Sequence, residues 1–117
     1  GRAMAGLSMG AMQSNVSVMK NPDVFASVGI FSGGFNYKGD GYDLTDVFAD
    51  TEQYRERFDL LFVSAGEGEQ PMCDTLRATL GELDAKGFPN VFYSCPGYHE
   101  WDVWRYAARE FLTLLFR

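Results

Sequence analysis

The chain has 117 residues, of which 46% are hydrophobic, and a formal net charge of −6. This length is enough for one globular domain with a core and too short for two ordinary domains. The acidic balance argues against a nucleic-acid partner, because phosphate binding needs clustered lysine and arginine.

The first part of the chain predicts two strands with a helix between them. The apolar run "RAMAGLS" is typical of a short buried strand. A helix is predicted over "MGAMQSNVSVMKN", and Pro22 ends it because proline disfavours helical geometry in the preceding residue. The expected apolar face of this helix contains Met9, Met12, Val16 and Met19. A second apolar strand, "FASVGIFSG", precedes the glycine-rich segment "GGFNYKGDGYD", which is expected to be a loop.

The second part of the chain predicts two more strands and at least three helices. One short helix or two are expected over "LTDVFADTEQYRERF", and "DLLFVSAG" is the clearest strand. An amphipathic helix is expected over "PMCDTLRATLGELDAKG", with Gly87 as its C-cap. Its apolar face comprises Met72, Leu76, Leu80 and Leu83. The last strand is "NVFYSCPG", and the last helix has a stripe of Trp101, Trp104, Ala108, Phe111, Leu112 and Leu115.

The alternation of nearly continuous apolar strands with helices predicts an α/β fold. Strands that are apolar on both faces are typical of a parallel sheet covered by helices on both sides. No apolar run is long enough to span a membrane, so no membrane partner is expected.

The cysteines and the clustered acidic residues do not predict a metal site. Cys73 and Cys95 lie in no C-x-x-C motif, and their spacing fits no zinc pattern. Acidic residues gather between Asp40 and Glu52, but without the spacing of a calcium loop. We interpret that segment as a solvated surface.

The stretch "GLSMG" places Ser8 between two glycines with the spacing G-x-S-x-G. This pattern is typical of a nucleophile elbow, a sharp strand-to-helix turn that raises a serine above a sheet. A side chain at Gly6 or Gly10 is expected to collide with the neighbouring helix or strand, which glycine avoids. The alternative is a loop that happens to be rich in glycine and serine. The strand before the motif and the helix after it favour the elbow.

His99, the one histidine of the chain, is the candidate base. A serine hydroxyl is a poor nucleophile until a neighbouring base takes its proton. His99 follows the last predicted strand, and Ser8 follows the first. Because the carboxyl ends of parallel strands share one edge of a sheet, both residues are expected at that edge.

An acidic residue is needed to orient the histidine and to stabilise the imidazolium. Glu67 and Glu69 follow the strand "DLLFVSAG" at the same edge, and either could serve. Glu100 and Asp102 are weaker candidates, because acidic residues are favoured at a helix start by the helix dipole. The order serine, acid, histidine along the chain is that of α/β-hydrolases.

Four segments of the chain together resemble the esterase D and feruloyl esterase group of carbohydrate esterases, which are α/β-hydrolases. The family's elbow usually reads close to "AGLSMGG" and is similar to "RAMAGLSMGAMQS". The next strand and its turn are similar to "NPDVFASVGIFSGG", and the acid-bearing strand to "LLFVSAGEGE". The histidine loop and last helix are similar to "PGYHEWDVWRYAAREFLTLLF". The resemblance covers essentially the whole chain.

The resemblance implies a catalytic role for three of these residues. The family's serine corresponds to Ser8, its histidine to His99 and its acid, usually aspartate, to Glu69, with Glu67 as the alternative acid. The backbone N–H of Met9 would be one donor of the oxyanion hole. The family's second donor comes from a loop after an earlier strand, which this sequence does not contain. No cofactor or metal is implied.

The resemblance implies a serine ester hydrolase acting on feruloyl or acetyl esters of plant cell-wall polysaccharide, in a secreted or periplasmic location. The alternatives are an esterase for other short-chain acyl or siderophore esters, and an inactive α/β module that binds carbohydrate or a partner. A flavodoxin-like domain is disfavoured, because "GLSMG" is too short and too apolar to cradle a phosphate.

We expect residues 1–117 to be the C-terminal portion of a single α/β-hydrolase domain, with about four parallel strands. The first strand would then have one bare edge, through which the chain is expected to self-associate or to pair with another segment. With one oxyanion donor missing, the chain alone is expected to be inactive.

Overall fold

The computed structural model describes residues 2–21, 23–33, 38–39, 42–43, 56 and 58–115. In chain order its elements are β1 (Ala3–Leu7), α1 (Met9–Lys20), β2 (Ser27–Phe31), β3 (Lys38–Gly39), β4 (Tyr42–Asp43), β5 (Leu60–Gly66), α2 (Met72–Ala85), β6 (Val91–Cys95) and α3 (Trp101–Leu114). Of the helix or helices expected over 44–58, the structure describes only Glu56, which is helical, and Phe58, which is not.

Four strands form one parallel sheet in the order β1-β2-β5-β6. In the sheet register, one row of paired residues runs from β1 to β6: Gly6, Ile30, Val63 and Phe92. The expected parallel α/β sheet is therefore confirmed. The segment expected as a plain loop differs in detail, because β3 and β4 pair antiparallel within it.

Helices cover both faces of this sheet. On one face, α1 and α2 bury their apolar residues against β2 and β5, in a cluster that includes Val18, Ile30, Val63 and Leu80. On the other face, Phe111 of α3 packs against Phe31 and Phe62 of the sheet in an aromatic cluster. All five residues of β2 are buried, as expected for a central strand covered on both sides.

Helix α2 ends as its sequence predicts. Gly87 has a φ of 78°, which a glycine adopts without steric cost. The N–H of Gly87 donates to the carbonyl of Asp84, and that of Phe88 to the carbonyl of Leu83. These paired bonds form a Schellman motif, and the buried Phe88 and Leu83 supply its apolar contact.

The buried face of α1 differs from the expected one. Met9 was expected on the apolar face but is 66% exposed. The buried residues are Ala11, Ser14, Asn15, Val18 and Met19. Several of these are small because α1 lies very close to β1, and a pattern of large apolar side chains does not identify such a face.

The stripe expected on α3 is also partly wrong. Trp101 is 74% exposed and Leu112 is 62% exposed. The helix turns Val103, Ala107 and Phe111 to the sheet, at a spacing of four residues. The small Ala107 at the centre of this face allows close contact with the aromatic cluster.

Strand β1 lies at one end of the described sheet, and its residues are less buried than those of β2. Self-association through this edge stays a prediction. Within the described ranges, no helix has both the length and the apolar character needed to cross a bilayer.

The two glycines of "GLSMG" meet different surroundings. A Cβ added to Gly6 would lie 2.2 Å from the carbonyl oxygen of Gly10 and 2.6 Å from Oγ of Ser14. A Cβ added to Gly10 would meet no described atom within 4 Å. The expected collision is therefore present at Gly6, and the expectation is wrong for Gly10, where an added Cβ would enter open space.

We predict that Gly6→Ala lowers the free energy of unfolding of this chain by about 1–3 kcal/mol or more, because backbone has to shift. Gly10→Ala is the matched control and should be neutral or stabilising by up to about 1 kcal/mol, because alanine is the better helix former. Urea denaturation measures both. Equal destabilisation by the two changes would contradict the packing described here.

Candidate active site

Ser8 occupies the turn between β1 and α1 in a backbone conformation that is rare for a side-chain-bearing residue. Its φ is 56° and its ψ is −124°. The turn is held by a hydrogen bond of 2.8 Å from the N–H of Ser8 to the carbonyl of Phe31 in β2, and by one from the N–H of Ala11 to the carbonyl of Ser8. Strain of this kind costs about 1–3 kcal/mol and persists where the surroundings fix it. The geometry is that of a nucleophile elbow.

His99 lies in the loop between β6 and α3 and reaches Ser8 across the sheet edge. Its Nε2 is 2.9 Å from Oγ of Ser8. The rings of His99 and Trp104 form a T-shaped contact with a centroid distance of 4.9 Å and an interplanar angle of 89°. The imidazole side chain is 45% exposed, so a molecule from solvent can approach the Ser8–His99 pair.

Glu69 lies in the turn between β5 and α2, with its side chain only 6% exposed. One carboxylate oxygen, Oε2, is 2.8 Å from Nδ1 of His99. The other, Oε1, accepts a hydrogen bond of 2.6 Å from the hydroxyl of Ser32 and one of 2.9 Å from the N–H of Gly66. Both oxygens of this buried carboxyl group are therefore hydrogen-bonded.

These hydrogen bonds decide the charge of Glu69. Burial by itself raises the pKa of this carboxyl, but the hydrogen bonds from Ser32, Gly66 and His99 and the attraction of His99 together outweigh it. The pKa of Glu69 therefore lies below its ordinary value of 4.5, and the group is ionised at neutral pH.

The ionised carboxylate fixes the direction of the hydrogen bonds along the site. A carboxylate only accepts, so Nδ1–H of His99 donates to Glu69. In the neutral imidazole, Nε2 is then the acceptor, and the hydroxyl of Ser8 donates to it. Ser8, His99 and Glu69 thus form one continuous chain in which Nε2 can receive a proton from Ser8.

The other acidic candidates occupy different positions. Glu67 is exposed, and its described hydrogen bonds are made by its backbone, including a 2.9 Å bond to the carbonyl of Cys95. Glu100 is the exposed N-cap residue of α3, without a side-chain cap bond. Asp102 forms an exposed ion pair of 3.3 Å with Arg105. Of the four acidic candidates, Glu69 is the one that the described contacts place on His99.

Ser32 contacts the site but was not among the residues expected there. It follows β2 directly, between the strands that lead to Ser8 and Glu69. The signal that could have identified it is its place at the carboxyl end of a parallel strand, the edge to which the other site residues were assigned.

The turn at Ser8 offers an N–H donor, and a mainly apolar groove begins at Leu7, the residue before Ser8. Met9 is the first residue of α1, so its N–H has no acceptor within the helix. An open groove of about 490 Å³ lies between the end of β1 and the first turns of α3. Its lining includes Leu7, Phe31, Trp101 and Trp104.

In the part of the chain that the structure describes, no group of three or more His, Cys, Asp or Glu side chains is arranged so that it could hold a metal ion. Cys73 and Cys95 are buried free thiols. Burial raises the pKa of Cys95, which keeps that thiol protonated and a poor nucleophile.

Comparison with known proteins finds a relative of this chain by sequence. No family model matches the chain. It is 29% identical over 117 residues to an endo-1,4-beta-xylanase/feruloyl esterase of Xylanibacter ruminicola, covering 99% of the chain and 14% of that protein.

The chain covers a larger share of several solved structures than of this relative. A ferulic acid esterase matches 97% of the chain with a TM-score of 0.73 and 18% identity, over 50% of its own length. FphF, a fluorophosphonate-binding serine hydrolase of Staphylococcus aureus, matches 98% of the chain with a TM-score of 0.76 and 17% identity, over 54% of its own length. The chain thus spans about half the length of these solved structures.

The lowered pKa of Glu69 predicts a specific pH dependence of stability. A carboxyl whose pKa is lower in the folded state stabilises the fold above its unfolded pKa, and that contribution is lost as the pH falls below about 4.5 through the folded pKa. We expect Glu69→Gln to destabilise the chain at pH 7, and the difference from the unchanged chain to shrink as the pH is lowered.

Chemical denaturation at a series of pH values measures this difference. Glu67→Gln, the same change at an exposed glutamate, is the control and should have little effect at pH 7. A difference for Glu69→Gln that stays constant or grows on acidification would contradict the assigned charge.

Proposed function

We propose, from the α/β-hydrolase fold that this chain shares with esterases, that the protein is a serine ester hydrolase acting through an acyl-enzyme. The observation that carries the proposal is the continuous hydrogen-bonded chain from Ser8 through His99 to the ionised Glu69. The relative of Xylanibacter ruminicola, a xylanase/feruloyl esterase, supports the same reaction class.

In the proposed first step, Oγ of Ser8 attacks the carbonyl carbon of the ester while its proton moves to Nε2 of His99. The 2.9 Å separation of these atoms supports this transfer. Glu69 stabilises the imidazolium through Nδ1. The tetrahedral intermediate then expels the alcohol, which takes the proton from His99, and the acyl group stays on Ser8.

In the proposed second step, His99 takes a proton from water, and the resulting hydroxide attacks the acyl carbonyl carbon. The second tetrahedral intermediate then breaks its bond to Oγ of Ser8, which takes the proton back from His99, and the acid is released. The negative oxygen formed in both steps needs N–H donors aimed at it. The N–H of Met9 is the donor proposed from this chain, supported by its place at the start of α1, where the helix dipole also favours negative charge.

The proposed substrates are feruloyl or acetyl esters of plant cell-wall polysaccharide, as in xylan degradation. The similarity to a xylanase/feruloyl esterase supports this class. The groove lined by Leu7, Trp101 and Trp104 supports an aromatic acyl group, because indole side chains pack well against a planar ring. A secreted or periplasmic location is part of this proposal, since such polymers lie outside the cell.

We predict that Ser8→Ala lowers turnover of an aryl acetate by several orders of magnitude in the natural full-length protein, because the nucleophile is lost. Ser17→Ala is the matched control, since Ser17 lies on α1 and its hydroxyl bonds only to the carbonyl of Gln13 among the described contacts. Near-normal turnover in Ser8→Ala would refute the proposal. Absence of turnover in the unchanged protein, on aryl, feruloyl and siderophore esters alike, would favour the inactive binding module.

We predict that Glu69→Gln lowers kcat far more than Glu67→Gln in the same assay. The amide cannot stabilise the imidazolium as the carboxylate does, and Glu67 is exposed with no described side-chain contact to His99. A larger loss from the change at Glu67 would mean that the acid has been misassigned.

A further inference from the structure

Ser32 has two features that the proposed reaction does not yet explain. Its φ of 52° is in the left-handed region, which is unfavourable for a residue with a side chain. It is also only 1% exposed, although it carries a polar hydroxyl. A glycine would adopt this backbone more easily, so the hydroxyl is the feature that distinguishes serine here.

The hydroxyl of Ser32 has a defined partner. It donates the 2.6 Å hydrogen bond to Oε1 of Glu69, which also accepts the N–H of Gly66. The backbone of Ser32 is fixed in turn, since its N–H donates to the carbonyl of Ser64 in β5 at 2.8 Å. The Ser32 hydroxyl is therefore a rigidly held donor, and a hydrogen bond to a carboxylate is of the strong, charge-assisted kind.

The turn after β2 also touches the nucleophile. The carbonyl of Phe31 accepts the N–H of Ser8. A Cβ added to Gly33 would lie 2.8 Å from the carbonyl oxygen of Ser8. Residues 31–33 thus contact Ser8 on one side and Glu69 on the other.

We infer that Ser32 is a positioning residue, whose hydroxyl holds Oε1 of Glu69 so that Oε2 faces Nδ1 of His99. This inference rests on the proposed function and extends it to a residue on a strand that carries none of the three proposed catalytic groups. Without the hydroxyl, Oε1 keeps only the bond from Gly66, and the buried carboxylate is less stabilised and freer to rotate.

The loss of the Ser32 hydrogen bond can be measured as a change in the pKa of Glu69. His99 is the titratable group in contact with it, and Cys95 of β6 is near enough to respond to the charge of Glu69. Burial raises the pKa of Cys95, so the thiol is neutral when Glu69 titrates. Because the bond from Ser32 lowers the pKa of Glu69, its removal should raise that pKa.

The test uses Ser32→Ala and Ser32→Gly in the natural full-length protein. Alanine removes the hydroxyl and keeps the strained backbone, whereas glycine removes both. Ser64→Ala is the control, since Ser64 is equally buried at 1% and its Oγ has no described partner. Two quantities are measured: the pKa of Glu69, from the carboxyl ¹³C resonance that disappears in Glu69→Gln, and kcat and KM on an aryl ester.

We expect both variants to raise the pKa of Glu69 and to lower kcat by about tenfold or more, the effect of losing one charge-assisted hydrogen bond. KM should change little, because Ser32 is not exposed to substrate. An unchanged pKa, an unchanged kcat, or recovery of kcat in Ser32→Gly would each overturn the inference. Failure of the proposed function itself is distinguishable, because it would leave turnover intact in Ser8→Ala while the pKa of Glu69 still rises in the Ser32 variants.

Discussion

A carboxylate that is buried must have its oxygens hydrogen-bonded, and this requirement at Glu69 determines the arrangement of the site. Its donors come from three places: Ser32 after β2, Gly66 at the end of β5 and His99 after β6. Because β2, β5 and β6 are neighbours in one parallel sheet, their carboxyl ends bring these donors together. The apolar contacts of the sheet therefore maintain the site as well as the fold.

Ser8, the proposed nucleophile, is held at the same sheet edge by different contacts. Ser8 belongs to β1, the strand next to β2, and its strained conformation depends on the bond to Phe31 and on the close contact between Gly6 and α1. In this conformation Oγ of Ser8 lies 2.9 Å from Nε2 of His99. The turn after β2 contacts both Ser8, through the carbonyl of Phe31, and Glu69, through the hydroxyl of Ser32.

Most of the fold and three residues of the candidate site could be predicted from the sequence. The features that could not be predicted all depend on contacts between residues far apart in the chain. Alternating apolar segments predicted the parallel sheet, which the structure confirms. The spacing around Ser8 and the single histidine predicted the sheet edge at which Ser8 and His99 lie in contact. The buried faces of α1 and α3 were misjudged because close packing selects small residues such as Ala11 and Ala107. Ser32 was missed because a lone serine after a strand has no distinctive spacing, and its role depends on a contact with Glu69, 37 residues away.

The central claim is that Ser8 is an activated nucleophile, and a fluorophosphonate probe tests it most directly. Such a probe phosphonylates a serine whose proton a neighbouring base can remove. Peptide mass spectrometry of the labelled natural full-length protein should find one modified serine, Ser8, with no label in Ser8→Ala and slower labelling in Glu69→Gln. Absence of label at Ser8, with a control serine hydrolase labelled in the same tube, would contradict the account.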